Sequence, residues 1–542
     1  MTSPAASATK PKHSGQLLFL TIFAIIVALH ATLLQLPYFW DEAGHYIPAA
    51  RDFLHTGDVI PTSTISNAHP PLPMLYLALW WKLLGYSPLV TRLAMLFAAS
   101  FGIFQVYRLS EKLTNSTVAL VTAILTALYP VVFAQSSLAH ADLTAFALTM
   151  WGLRLYFDHE QPWWKCVTAF ALAAVCKETA IVTPMALATW NFPFDLANLR
   201  SYHIRFITFT IAGQREPVPH PYLRRESFAL LLATIPLVLW YAYHYHRTGH
   251  VFGNPEFFRY NVGATLTPIR FLLAAIQRVW QVLGHMNLWV LTALGMAAML
   301  FLPIQKGSQQ RPRIALSAQV TFAVVILGHI VLYSLVGGAL LTRYMLPCIP
   351  LVILLWTSTL WRRIKQWPWL VGFVALTFIS GWFVNPPYRF APEDNLNYAD
   401  YVRLHQHAAD YITQHYPHSR VLTAWTATDE LSKPYLGYVT NPITFIQVEN
   451  FSQEQILLAQ QNADYDIALL FSTKYEPPRQ LIHWKFWESA HTQYFDYHRD
   501  LPPEAISRML GGKIVMQETQ NGQWVAILTF DRVQSVENFR HR

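Results

Sequence analysis

The sequence predicts a polytopic α-helical membrane protein with a C-terminal α/β domain outside the membrane. Of the 542 residues, 53% are hydrophobic and only 13% are charged, whereas about 25% are charged in ordinary proteins. Membrane-length apolar segments alternate with short basic clusters, and this alternation ends near residue 384. The net charge of +8 lies largely in those clusters, as orientation of the spans requires, so we expect membrane lipids as partners and no nucleic acid.

The first apolar segment covers residues 17–36 and follows Lys10 and Lys12. About 20 residues at roughly 1.5 Å each span the hydrocarbon core of a bilayer. The segment lacks a small-residue cleavage site, which favours an uncleaved anchor. Further apolar segments are residues 70–84, 89–107, 118–134, 143–157, 167–190, 228–243, 287–302, 314–336, 341–360 and 367–384.

Basic clusters at residues 108–112, 200–225, 306–313 and 362–365 fall on one side of this arrangement. The positive-inside rule makes that side cytoplasmic. We therefore expect about eleven crossings in a transmembrane domain of residues 1–384. The N-terminus is then cytoplasmic, and the first polar loop faces the outside.

The composition changes after Asn385, where two prolines follow. We expect helices over residues 398–416 and 452–461, short strands near residues 420–425, 443–448 and 465–471, and a hairpin of residues 513–518 and 524–530. Residues 385–542 are thus predicted to form an extracytoplasmic α/β domain of ordinary size. No glycine-rich nucleotide motif indicates a function for it.

Two adjacent carboxylates, Asp41 and Glu42, stand where the chain leaves its first span. Carboxylates at the membrane face are costly to place and are often present for chemistry. Alternatively, Asp41 is only the N-cap of a short helix that runs to about Leu54. If Asp41 is a base in partly dry surroundings, its pKa should lie above the usual value.

Other polar residues on the predicted outer face are His45, His69, His140, Asp142, Lys177, Glu178, Arg343 and Tyr344. A charge at membrane depth costs about 2.5–3.5 kcal/mol on insertion scales, so these residues need partners or a wet cavity. They are either structural ion pairs or a site in which cations bind a lipid phosphate and a carboxylate accepts a proton. The histidines with carboxylates also make a divalent metal a candidate cofactor, although such histidines often cap loops or contact phosphate instead.

Five short motifs in the same order resemble the bacterial GT-C fold glycosyltransferases of family 39. That family includes the dolichyl-phosphate-mannose protein mannosyltransferases and is similar to the lipid A aminoarabinose transferases. The motifs are Trp40-Asp41-Glu42-Ala43, His69-Pro70-Pro71-Leu72, Ala139-His140-Ala141-Asp142, Cys176-Lys177-Glu178 and Arg343-Tyr344-Met345-Leu346-Pro347. Where the aminoarabinose transferases have Glu-Lys before the paired prolines, this chain has Ala68-His69, which weakens any transfer of their metal and lipid A contacts.

The resemblance implies a polyprenyl-phosphate-linked sugar donor and inverting transfer to a lipid, glycan or protein acceptor at the outer face of a bacterial inner membrane. It implies Asp41 and Glu42 as catalytic residues, with Asp41 the base, and Lys177 and Arg343 as partners of the donor phosphate. A transporter or flippase for a lipid-linked glycan is the alternative, but such folds often repeat a broken helix in both halves. A non-catalytic polysaccharide assembly component would leave the two carboxylates unexplained.

Overall fold

The structure, a computed structural model, describes residues 13–158, 160–199, 209–211, 214–216, 227–255, 258–259, 262–307, 309–461, 464–477, 485–495 and 499–530. The expected helical character of the first part of the chain is confirmed. Its helices are α1 (His13–Leu29), α2 (Ile47–Thr56), α3 (Leu72–Leu84), α4 (Pro88–Leu113), α5 (Ser116–Leu128), α6 (Pro130–Ser137), α7 (Ala141–Tyr156), α8 (Trp163–Ala174), α9 (Val182–Leu199), α10 (Ile235–Thr248), α11 (Pro268–Leu283), α12 (Leu288–Ala298), α13 (Leu316–Leu335), α14 (Ile349–Arg363) and α15 (Trp367–Phe383).

Three helices of the described residues are long and apolar enough to cross a membrane: Pro88–Leu113, Phe228–Thr248 and Leu316–Leu335. The helices α5 and α6 pass the same test together but are bent by 66°. Shorter apolar helices are Gly15–Leu29, Leu72–Leu84, Leu288–Ala298 and Trp367–Phe383. The helices support a membrane protein, and the number of about eleven crossings stays a prediction.

The apolar segment of residues 118–134 is bent, and its crossing of the membrane stays a prediction. Tyr129 has an extended backbone conformation at the junction of α5 and α6, as expected for the residue before a proline. The apolar segment of residues 167–190 is likewise broken, at the charged pair Lys177-Glu178. The helix α8 ends at Ala174, and a 3-10 helix, Glu178–Ile181, separates it from α9.

Two helices extend into stretches outside the apolar segments. The helix α9 continues to Leu199, beyond the end of the apolar segment at residue 190. The helix α11 occupies most of the second half of the polar stretch between α10 and residue 281. The basic stretch of residues 200–225 lies outside the described residues, apart from the short strands β1 (Phe209–Ile211) and β2 (Gln214–Glu216), which pair with each other. A second short pair is β3 (Gln305–Lys306) with β4 (Gln309–Gln310).

A mixed sheet of five strands follows the helical part. Its strands are β5 (Val421–Ala424), β6 (Phe445–Val448), β7 (Ile467–Phe471), β8 (Lys513–Gln520) and β9 (Gln523–Thr529), in the spatial order β6-β5-β7-β9-β8. The strand β5 runs parallel to β6 and β7, and β9 is antiparallel to β7 and β8. The accompanying helices are α16 (Asn397–His415), α17 (Ala427–Ser432), α18 (Gln453–Gln461), α19 (Lys485–Tyr494) and α20 (Pro503–Leu510).

The hairpin predicted from the sequence is β8 with β9. Asn521 and Gly522 form its turn with φ values of 47° and 81°, the backbone twist that two-residue hairpin turns require. The predicted strands near residues 421, 445 and 467 and both predicted helices are also present. Apolar residues that repeat every 2 positions in strands and every 3.6 positions in helices thus predicted the elements after residue 385 well.

The sheet-containing part packs directly on the loop after α1. The Tyr438 hydroxyl donates to the Tyr38 carbonyl of this loop at 3.0 Å. Nearby, the hydroxyl of Tyr86, in the turn between α3 and α4, donates to the Tyr435 carbonyl at 2.7 Å. The rings of Phe39 and Tyr401 meet edge to face with centroids 5.2 Å apart. These contacts hold the first loop between the helices and the sheet.

The loop is fixed from the other side by Glu42, which is fully buried and pairs with the buried Arg92 of α4. Its carboxylate also accepts hydrogen bonds from the backbone N–H groups of Phe39 at 2.9 Å and Ala139 at 2.6 Å. Arg92 in turn donates to the carbonyl of Ser137 at 2.7 Å. This pair therefore joins the first loop, α4 and the end of α6.

Replacing Arg92 by Leu should lower the stability of the protein strongly, because the Glu42 carboxylate is then buried without its cation. Loss of one partner of a buried ion pair costs about 3–5 kcal/mol. Thermal unfolding in detergent is the measurement. The matched control is Arg108→Gln, which removes a partly exposed partner of Glu111 at 3.7 Å and should cost less than about 1 kcal/mol. Equal unfolding temperatures in the two variants would contradict this role of the Glu42 pair.

Candidate active site

A cavity of about 950 Å³ lies where the first loop, the break between α8 and α9, the turn after α13 and the sheet-containing part meet. Its lining includes most of the charged residues singled out from the sequence. Those in its walls are Asp41, His45, His69, Lys177, Glu178, Arg343 and Tyr344. Much of the remaining wall is aromatic or aliphatic, so the cavity combines a charged centre with apolar surroundings, as ligand pockets commonly do.

Arg343 is the centre of the charged group. It lies on a 3-10 helix, Thr342–Met345, and is only 4% exposed. Its guanidinium contacts the carboxylate of Asp41, bonds to Glu393 at 2.5 Å and lies 3.3 Å from Asp142. One cation thus joins three carboxyl groups from distant parts of the chain.

The turn before Arg343 is held by two arginines of α11. Arg270 donates to the carbonyl oxygens of Gly337 at 3.0 Å and Gly338 at 3.1 Å. Arg278 donates to the carbonyl oxygen of Leu341 at 2.8 Å. Since both arginines donate to carbonyls of this turn, the turn that carries Arg343 has a defined shape.

Lys177 is the second cation of the cavity. It follows α8 and precedes the 3-10 helix, where the break turns its side chain towards Asp142, with which it pairs. Its ammonium also lies 4.1 Å from the centre of the Tyr344 ring, a favourable cation–π contact. Beside it, the Glu178 carboxylate lies 3.3 Å from Nδ1 of His69.

The two alternatives for Asp41 can now be compared. Asp41 occupies the N-cap position of a short π-helical turn, Glu42–Tyr46, but its side chain makes no capping hydrogen bond there. It contacts Arg343 instead and is 23% exposed at the cavity wall. The N-cap alternative is therefore not supported by the side-chain contacts.

The expectation of a raised pKa for Asp41 is wrong in this arrangement. Burial is the largest single influence and disfavours the ionised carboxylate, but the charges of Arg343, His140 and His45 together with the hydrogen bond from Arg343 outweigh it and hold the pKa of Asp41 below its usual value. Asp41 is thus ionised at neutral pH and is a weak base for as long as Arg343 neutralises it.

Glu393 is a residue of the site that sequence reasoning missed. It lies on a short 3-10 helix, Pro392–Asp394, between α15 and α16, and lines the cavity at 3% exposure. Its neighbour Asp394 fixes this segment by accepting hydrogen bonds from Thr342 at 2.8 Å and contacting His285 Nε2 at 2.8 Å. No sequence pattern pointed to it, since the segment follows two prolines and reads as a linker.

Three predicted residues lie behind the cavity wall. Glu42 pairs with Arg92 as described, and Asp142 is buried between Lys177 and Arg343. His140 is buried with Nδ1 at 2.8 Å from the side-chain oxygen of Gln135. These three residues do not line the cavity. They contact the residues that line it or the segments that carry those residues.

The described residues contain no group of three or more His, Cys, Asp or Glu side chains placed to hold a metal ion. The histidines of the cavity instead meet other partners, as His69 meets Glu178 and His45 meets Trp425 at a ring distance of 5.8 Å. A divalent metal therefore stays a prediction.

The comparisons with known proteins agree with the fold. Residues 68–211, less than half of the chain, match the family model of the dolichyl-phosphate-mannose-protein mannosyltransferases. This segment contains the motifs around His69, His140 and Lys177. No curated protein matches the sequence significantly.

Two crystal structures of ArnT from Cupriavidus metallidurans are similar over nearly the whole chain. The one bound to undecaprenyl phosphate has 13% sequence identity and a TM-score of 0.53, with 95% of this chain and 98% of that chain covered. The apo form has 13% identity and a TM-score of 0.50, with 94% and 97% covered. The likeness shows the fold, and with the family model it confirms the resemblance to family 39 glycosyltransferases of the GT-C fold.

The site makes one prediction about pH. Burial raises the pKa of Glu393 to about 8, and the carboxylates of Asp41, Asp394 and Asp142 act in the same direction against Arg343. Glu393 should therefore be protonated at pH 7, so that its acid C=O band in infrared spectra disappears near pH 8 and is missing in Glu393→Gln. Because the folded chain binds this proton and the unfolded chain does not, stability should fall as pH rises from about 4.5 to about 8. An ionised Glu393 at pH 6 would contradict this prediction.

Proposed function

We propose that this protein is a membrane glycosyltransferase that moves a sugar from a polyprenyl-phosphate donor to an acceptor hydroxyl. The observation that carries the proposal is the meeting of one carboxylate, Asp41, with two cations, Lys177 and Arg343, at a single large cavity. The family model and the fold support the same reaction class. The broken helix pairs α5–α6 and α8–α9 both lie in the first half of the chain, whereas transporter folds often repeat a broken helix in both halves.

Lys177 and Arg343 are suited to bind the donor phosphate. Both are cations within an otherwise largely apolar cavity, where a charge-assisted hydrogen bond is strong. Arg343 presents a planar fork that matches two phosphate oxygens, and Lys177 adds a point charge beside it. The bound ligand of the similar ArnT structure, undecaprenyl phosphate, is of this chemical class.

Asp41 is the proposed base. The acceptor oxygen forms a bond to the anomeric carbon and gives its proton to Asp41, while the bond from that carbon to the phosphate oxygen breaks. The electron pair leaves with the polyprenyl phosphate, whose negative charge Lys177 and Arg343 stabilise. One such displacement inverts the configuration at the anomeric carbon.

The ion pair between Asp41 and Arg343 links donor binding to this proton transfer. A phosphate that takes hydrogen bonds from Arg343 competes with Asp41 for the same guanidinium. As that pair weakens, the carboxylate loses the charge that lowers its pKa and becomes a stronger base. Glu42, one residue further on, acts as a positioning residue because its pair with Arg92 holds the backbone on which Asp41 lies.

The arrangement in the membrane is also a proposal. We place residues 1–384 in the transmembrane domain with about eleven crossings, the N-terminus in the cytoplasm and residues 385–542 outside, in a bacterial inner membrane. The basic clusters at residues 108–112 and 362–365 support this orientation. The acceptor hydroxyl then belongs to a lipid, glycan or protein that is reached from the outer face.

Asp41→Asn should fold normally and lose transfer by about 10²–10⁴-fold, since Asn keeps the shape of the side chain but cannot accept the proton. The measurement is the movement of labelled sugar from a polyprenyl-phosphate donor into the envelope fraction of membranes. The matched control is Asp58→Asn, a carboxylate of the same loop that pairs with Arg247 at 2.6 Å outside the cavity. Near-wild-type transfer by Asp41→Asn would remove Asp41 from the mechanism, and the same assay with a chelator tests the divalent metal.

The orientation can be tested with reporter fusions. A periplasm-active reporter placed after Arg542 should be active, and the same reporter inserted after Arg363, at the end of α14, should be silent. Cytoplasmic reporters should give the opposite result. A cytoplasmic signal from the C-terminal fusion would contradict the expected number of crossings.

A further inference from the structure

The sheet-containing part contributes a tryptophan to the cavity. Trp425 follows directly on β5 and lines the cavity together with Trp40 of the first loop. Their ring centroids are 5.4 Å apart at an interplanar angle of 77°. Both indoles are only partly buried, so each keeps apolar surface available on the cavity side.

The position of Trp425 is closely defined. A Cβ atom on Gly44 would lie 2.5 Å from the Trp425 ring, a distance that no side chain tolerates. The indole Nε1 donates to the Asp429 carboxylate at 3.2 Å. The indole is thereby held on the first loop, three residues from Asp41, rather than within the core of the sheet.

Glu393, from the segment that leads into the same part of the chain, offers the second observation. One oxygen of its carboxyl group bonds to Arg343, but the other, Oε1, is buried and has no hydrogen-bond partner among the described residues. A buried polar atom without a partner costs free energy. A ligand group in the cavity that hydrogen-bonds to Oε1 would remove this cost.

We propose that Trp425 and Glu393 bind a sugar ring beside Asp41. A sugar ring presents C–H groups on one face and hydroxyl groups around its edge. The C–H face suits the apolar surface of Trp425 and Trp40, and a hydroxyl suits the free oxygen of Glu393. The inference rests on the proposed function, and the ring belongs either to the lipid-linked donor or to an acceptor glycan.

The test uses the full-length protein in lipid nanodiscs and three kinds of probe. These are undecaprenyl phosphate, undecaprenyl phosphate that carries mannose, glucose or galactose, and free oligosaccharides of the same sugars. Wild type should bind at least one sugar-bearing lipid more tightly than undecaprenyl phosphate, or it should bind at least one of the free oligosaccharides. Trp425→Ala should reduce that sugar-dependent affinity about tenfold and leave the affinity for undecaprenyl phosphate unchanged.

Four further variants separate recognition from simple packing between the loop and the sheet. Trp425→Phe keeps an aromatic face and should retain most of the sugar-dependent affinity. Gly44→Ala keeps the indole but displaces it and should behave like Trp425→Ala. Glu393→Gln keeps a polar group at the position of Oε1 and should bind sugar, whereas Glu393→Ala should not. Thermal unfolding of each variant checks that the protein is folded.

The outcomes are distinct. Lost affinity for the sugar-bearing lipid assigns the ring to the donor, and lost affinity for free oligosaccharide assigns it to the acceptor. If no probe shows sugar-dependent binding, or if folded Trp425→Ala and Glu393→Ala bind every sugar probe as wild type does, the proposal is overturned. Lys177→Ala should weaken binding of undecaprenyl phosphate itself. If its affinity for undecaprenyl phosphate equals that of wild type, the result counts against the proposed function and not against the sugar subsite.

Discussion

The site depends on the buried guanidinium of Arg343. Its three carboxyl partners come from the first loop, from α7 and from the segment after α15. Each partner would be costly to bury alone, and the shared cation makes their burial tolerable. The same cation keeps Asp41 ionised, keeps it weakly basic, and is the best-shaped phosphate partner in the cavity. The side chain of Arg343 therefore contributes both to the stability of the site and to its proposed chemistry.

The surroundings of Arg343 explain how one cation can serve several partners. The turn before it is held through backbone carbonyls by Arg270 and Arg278. Those contacts leave the carboxylates of the cavity to Arg343 and Lys177, whose charges are then the ones available to a ligand. Lys177 has a comparable support in the ring of Tyr344. Supports of this kind hold the two cations in place before a ligand binds.

Much of this could be predicted from the sequence because the signals are local. Apolar length and basic clusters indicated the helices, and charges placed at membrane depth indicated Asp41, Lys177 and Arg343 as members of one site. The pairing of Glu42 with Arg92 could not be predicted, because residues 50 positions apart on different helices leave no periodic pattern. Trp425 follows a strand and reads as core, and Glu393 follows two prolines and reads as linker. Their roles depend on how the sheet packs against the first loop, which is a property of the tertiary structure.

The wide spacing of the Arg343 partners also bears on how the protein is made. Asp41 and Arg343 are 302 residues apart, and Glu393 follows 50 residues after Arg343. During synthesis from the N-terminus, Asp41 and Asp142 enter the membrane region well before the cation that will neutralise them. Until then they must stay hydrated or be protonated, since an unpaired carboxylate is expensive in a dry environment. The cavity therefore gains its full set of charges only once the chain has been made as far as Glu393.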